Sequence, residues 1–130
     1  MGLPAAKQGD QVTGLDTHIV VLPAPASPAP LPHPFSGRLS GALSHDVKIM
    51  GKPAATVGST ADNSPPHLPT APGTGFQKAP GNKGTVRTGS QTVRINGKAA
   101  ARTGDQATTC NDPTDLPAGT VLGSGTVMIG

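Results

Sequence analysis

The 130 residues contain no tryptophan, no tyrosine and no glutamate, and only two phenylalanines and one cysteine. Each absence narrows the field. Without Trp or Tyr there are no large amphipathic anchors to bury, and two phenylalanines offer little platform for stacking nucleobases. Without Glu, an acid–base mechanism has only Asp and His to draw on. One cysteine, Cys110, excludes an internal disulfide framework. The longest aliphatic run, residues 19–22, is far too short to span a bilayer. Residues 1–7 lack the apolar stretch of a Sec signal, so synthesis in the cytoplasm is expected. Charged residues are also scarce, at 13% with a net charge of +3, too balanced for a self-repelling disordered chain.

What the chain has in quantity is Gly (18) and Pro (15). Its apolar side chains are few, so the length implies one domain, residues 1–130, with a thin core that needs a further staple. More than half of the ten basic residues lie between positions 78 and 102. With no helix to enter a groove and only two phenylalanines for stacking, these read as a solvated strand face, and no nucleic-acid partner is expected.

An internal repeat organises the sequence. Residues 45–63 align with residues 91–109 through Val47/Val93, Ile49/Ile95, Gly51/Gly97, Lys52/Lys98, Ala54/Ala100, Ala55/Ala101, Gly58/Gly104 and Ala61/Ala107. Each copy is a V-x-I run, a Gly-containing turn and a run of small residues ending in Gly. Asn96-Gly97 is the pair that favours a tight hairpin with positive φ, and Met50-Gly51 stands in the matching place. A third copy is cut in two. Its second strand opens the chain at residues 4–10 and its first closes it at 126–130. The expected fold is therefore all-β, a pseudo-threefold set of three hairpins whose third member is completed by the two termini. Long Pro/Gly-rich loops are expected between the hairpins, at residues 23–30, 70–83 and 111–125, the first in polyproline-like conformation. Residues 39–43 alone carry the spacing of a short helical turn.

The candidate ligands follow the repeat. His18 and His67 stand at the same distance after Gly9 and Gly58, and Cys110 follows Gly104 in the third segment. A pseudo-threefold arrangement would bring the three together near the axis. His33, fixed between Pro32 and Pro34, is the candidate fourth ligand, and His45 is left over. Three imidazoles and a thiolate suit a closed tetrahedral Zn²⁺ site, with iron less well matched. A closed site leaves no open position for water. It would contribute on the order of 10 kcal/mol to folding and offset the thin core. Spacing alone leaves alternatives open: unrelated polar loop residues around a buried thiol, a Cys110–His18 or Cys110–His67 nucleophile pair, or a hydrolytic zinc with Asp16 or Asp112 as base.

Pro4-Ala5-Ala6-Lys7, Pro53-Ala54-Ala55-Thr56 and Ala99-Ala100-Ala101-Arg102, each one position away from Pro-Ala-Ala-Arg, resemble the PAAR-repeat family. Residues 14–18, 31–37, 65–69 and 108–113 look like its longer-loop branch. The resemblance implies a small β cone seated on the blunt end of a trimeric spike of the VgrG type, one tip per trimer. It implies a structural zinc near the apex held by His18, His33, His67 and Cys110. It further implies docking through the strands at Val47–Ile49, Val93–Ile95 and Val127–Ile129, no enzymatic activity, and a place at the tip of a type VI or phage-tail-like injection particle. The chain itself would be monomeric, would not insert stably in a membrane, and would carry any effector cargo by adhesion. A free-standing metal-binding module that recruits cargo is the competing reading, and a small metallohydrolase the third.

Overall fold

Three pairs of very short strands stand where the repeat puts them. In the computed structural model, which describes residues 2–130, β1 (Leu3–Pro4) pairs antiparallel with β13 (Met128–Ile129), β4 (Lys48–Ile49) with β5 (Lys52–Pro53), and β9 (Arg94–Ile95) with β10 (Lys98–Ala99). The first pair joins the two ends of the chain. The connecting turns have positive φ at both central residues, Met50 (53°) and Gly51 (82°), and Asn96 (53°) and Gly97 (78°), the mirror-image turn whose twist matches the strands.

Small residues let these hairpins meet at the axis. Ala6, Ala55 and Ala101 are fully buried and close a three-membered ring of backbone hydrogen bonds: Ala6 N donates to Ala101 O (2.9 Å), Ala101 N to Ala55 O (3.0 Å), and Ala55 N to Ala6 O (3.0 Å). Above it Ala5, Ala54 and Ala100 pack under Ile49, Ile95 and Ile129, with Val47 and Val93 half-buried at the rim. Gly9, Gly58 and Gly104 then turn the chain away from the ring with φ of 89°, 98° and 88°, a backbone conformation open mainly to glycine.

Past those turns the chain builds a closed six-stranded antiparallel barrel. β2 (Gln11–Val21) pairs with β3 (Ala29–Gly41), β3 with β6 (Thr60–Asn63), β6 with β8 (Lys83–Val86), β8 with β11 (Gln106–Thr109), β11 with β12 (Leu116–Leu122), and β12 returns to β2. β7 (Gly75–Phe76) adds to the far end of β2. Val12, Phe35, Leu39, Ala61, Val86, Ala107 and Val121 fill the interior with Ala6, Ala55, Ala101 and Cys110. The fold is all-β, and among the described residues no helix is long and apolar enough to cross a membrane.

Much of the expected loop is strand. β3 runs through Pro30, Pro32 and Pro34, paired with β2 from Val20↔Ala29 to Gln11↔Arg38. On its other side β3 meets β6 only from Gly37 onward. The prolines alternate, so all three put their missing N–H on the free edge, where no ladder bond is lost. Residues 29–34 are thus a Pro-blunted edge rather than a polyproline loop, and only residues 22–28 turn the chain. Part of 111–125 is likewise strand β12, and β7 interrupts 70–83. The helical turn expected at 39–43 is instead the end of β3: Leu39 points inward by strand alternation, fully buried in the barrel.

Candidate metal centre

At the end of the barrel away from the short hairpins, the interior turns polar. β2 alternates, so Asp16 and His18 share the inward face that Val12 and Val20 also occupy. His33 sits on β3 directly opposite Asp16 in the ladder. His67 arrives on the segment that follows β6, and Cys110 directly follows β11. The exposures are 0% for Asp16, 1% for His18, 4% for His33, 9% for His67 and 4% for Cys110. The three imidazoles form a compact triangle, with ring centres 5.6 Å apart for His18–His33, 5.0 Å for His18–His67 and 5.6 Å for His33–His67. Phe76 closes over His18 and His33 at 5.6 and 5.3 Å. The contact with β2 made by β7 holds it there.

Asp16 is the hub of the hydrogen bonding. Its carboxylate accepts from Thr109 Oγ1 (2.5 Å), Cys110 Sγ (3.4 Å) and Asn111 Nδ2 (3.4 Å), and lies 2.8 Å from His67 Nε2. Asn63 Nδ2 lies 3.2 Å from His67 Nδ1, so the ring accepts there and donates from Nε2 to Asp16. Donor atoms of Asp16, His18, His67 and Cys110 all fall within 4.8 Å of one another, a group able to hold a metal ion.

His18 is the member that the protein leaves unserved. Neither ring nitrogen has a hydrogen-bond partner among the described residues, although the ring is buried. Asp112 Oδ2 stands 3.5 Å from Nδ1, near enough to attract but too long to bond, and is itself held by Ile19 N at 2.9 Å. Burying an unpaired imidazole costs on the order of 1–3 kcal/mol. Burial also pushes the His18 pKa down, against the pull of Asp112, and keeps the ring in the neutral form that coordinates metals. The Cys110 thiol is pushed up to about 11, first by burial and then by the Asp16 charge. A metal ion would reverse both costs, giving His18 a partner and stabilising the thiolate.

Of the four residues expected as ligands, His18, His67 and Cys110 fall within this donor group, while His33 packs against the His18 and His67 rings outside it. His33 differs from the others in being occupied: Nδ1 lies 2.9 Å from Leu31 O and Nε2 3.1 Å from Thr70 Oγ1. Asp16, weighed from the sequence only as a possible base, stands inside the donor group instead. Its position two residues before His18 on a strand was the available signal, since both must then face the same way. His45, set aside in the sequence, is exposed and lines a different surface depression, with Ser44, Asp46 and Asn96.

The chain's C-terminal part, residues 77–130, matches the family model described as PAAR motif. This chain carries a PAAR motif. The matched stretch runs from before β8 to the end of β13 and includes Ala99–Arg102. The other two copies, at Pro4–Lys7 and Pro53–Thr56, reproduce the geometry of the PAAR copy through the shared alanine ring and positive-φ glycines. No curated protein matches the chain.

Proposed function

We propose that this PAAR-motif protein is the structural tip of a contractile injection spike. The observation that carries the reading is the pseudo-threefold hairpin end. One chain presents three equivalent hairpins around an axis, a shape suited to capping a true trimer such as a VgrG-type β-helical spike. Leu3, Met50, Val127 and Met128 are 42%, 54%, 40% and 57% exposed there, and covering such apolar surface favours association. The chain would be made in the cytoplasm, seat one copy per trimer, and leave the cell when the machine fires. Its role is mechanical: a closed barrel concentrates force on a target envelope. Cargo would travel by adhesion.

In this reading the opposite end is tied by zinc. His18, His67 and Cys110 would hold the ion, with His33 as fourth ligand once its bonds to Leu31 and Thr70 are exchanged, or Asp16 from where it stands. Two imidazoles and a thiolate favour Zn²⁺ over harder ions. Bound there, the ion would supply structural cross-linking and no open coordination position.

Mixing the purified chain with a trimeric spike tests the reading. A stable complex of one chain to three spike subunits is expected, weakened by Met50→Asp. A chain that stays free of every spike trimer from its own cell, while still folded and metal-loaded, would favour the free-standing module instead.

A further inference from the structure

The three copies are not alike in one respect. In the first, Lys7 Nζ lies 3.2 Å from Asp10 Oδ1 and also bonds the Ser124 carbonyl. In the third, Arg102 Nη2 lies 3.0 Å from Asp105 Oδ1, and the guanidinium donates to the carbonyls of Gly89 (3.4 Å) and Gly130 (3.1 Å). The second copy has Thr56 and Ser59 at these two positions. Ser59 Oγ accepts from Thr56 N (3.0 Å) and donates to Ala42 O (2.9 Å), so the turn is kept, but no long side chain fills the space beside it. That space is an open depression of about 370 Å³, lined by Ser44, His45, Asp46, Thr56, Asn96 and Lys98.

The acceptors that hold the two cations elsewhere have counterparts here. By the repeat, Gly89, Ser124 and Gly130 correspond to Leu43, Ser44 and Asn96. Among the described residues no protein donor reaches the Leu43 or Ser44 carbonyls. The second copy also moves its acid. Asp46 replaces Thr92 and Thr126 of the other copies, and its carboxylate is aimed by Asn96 Nδ2 (2.8 Å) and Ser44 Oγ (3.2 Å). None of the ion pairs among the described residues includes it. Lys98 also lines the depression, so a small mobile cation gains little there. A planar guanidinium, donating to several separated acceptors at once, gains most.

We propose that this depression is a socket for one arginine side chain of a protein partner, bound in trans as Arg102 is bound in cis. The inference takes from the preceding section only that a partner covers the hairpin end. Because the socket is present once, the partner's side chain would enter on one side of the pseudo-threefold axis.

The test is a titration of the folded, full-length chain with N-acetylarginine amide, followed by amide chemical shifts, with N-acetylcitrulline amide as the neutral control. Saturable shifts at Ser44, Asp46 and Asn96 are expected with the arginine probe alone. Asp46→Asn should weaken them about tenfold. Thr56→Arg with Ser59→Asp, which restores the pair in cis, should abolish them. Equal response to citrulline, no saturation, or an unchanged response in Asp46→Asn would overturn the proposal. None of these outcomes depends on whether the chain caps a spike.

Discussion

A buried imidazole with two unpaired nitrogens destabilises any protein that has nothing to offer it, and His18 is such a group. Its replacement should therefore act with opposite signs in the two metal states. In the presence of a chelator, His18→Leu is expected to leave stability unchanged or raise it by about 1–2 kcal/mol, because an orphaned polar group gives way to an apolar one. With metal supplied, the same variant should lose the ion and fall below the parent. Paired urea denaturation curves read both signs. The pH dependence of the metal-free protein follows from the same two residues. The His18 pKa is lowered in the fold, so below about 6.5 the unfolded chain binds a proton that the native state refuses, and stability drops as pH falls. The Cys110 pKa is raised from 9.0 to about 11, so its contribution is intact below 9 and is lost as pH climbs towards 11. A stability plateau between these limits, narrowed on both sides relative to His18→Leu/Cys110→Ser, is the expected profile. At this scale the repeat made His18, His67 and Cys110 legible, since equivalent positions must converge. Asp16 was legible only through strand alternation on β2, a strand whose length the sequence pattern had not established.

The short hairpins are where local sequence and structure agree best. Asn96-Gly97 meets the demand for two positive φ values with residues that tolerate it, whereas Met50 meets the same demand at φ 53° with a side chain that does not. A left-handed conformation costs an ordinary residue about 1–2 kcal/mol, and Asn is spared most of it. Met50→Asn is accordingly expected to raise the stability of the isolated chain by about 1 kcal/mol, measured as a shift in denaturation midpoint at constant slope. The same substitution removes exposed apolar surface from the hairpin end, so stability and spike affinity should move in opposite directions. The barrel strands were harder to read. Pro30, Pro32 and Pro34 look like breakers one at a time. Their common parity makes them harmless, because every missing N–H falls on the edge of β3 that no neighbour occupies. Leu39 and Leu43 suggested a helical spacing, yet Leu39 is placed by the period-two burial of β3. The competing principle in both cases was tertiary: barrel closure supplies ladder partners that local propensity cannot register.

For the whole molecule the balance lies between a small apolar core and a polar interior at the opposite end. Phe35 and Leu39 are the largest fully buried apolar side chains, and burial of each contributes about 1.5–3 kcal/mol. The alanine ring adds precise backbone pairing but little apolar area. In the proposed reading, a metal tie at the far end would close β2, the His67 segment and the Cys110 turn on one another and stiffen a chain with so few large side chains. The most direct test is elemental analysis of the purified protein beside Cys110→Ser, with melting followed before and after chelation. One tightly held zinc per chain is predicted, lost or weakened in the variant, with chelation lowering the parent's melting temperature by about 10 °C or more. A folded parent that carries no metal, and melts at the same temperature with or without chelator, would contradict the account.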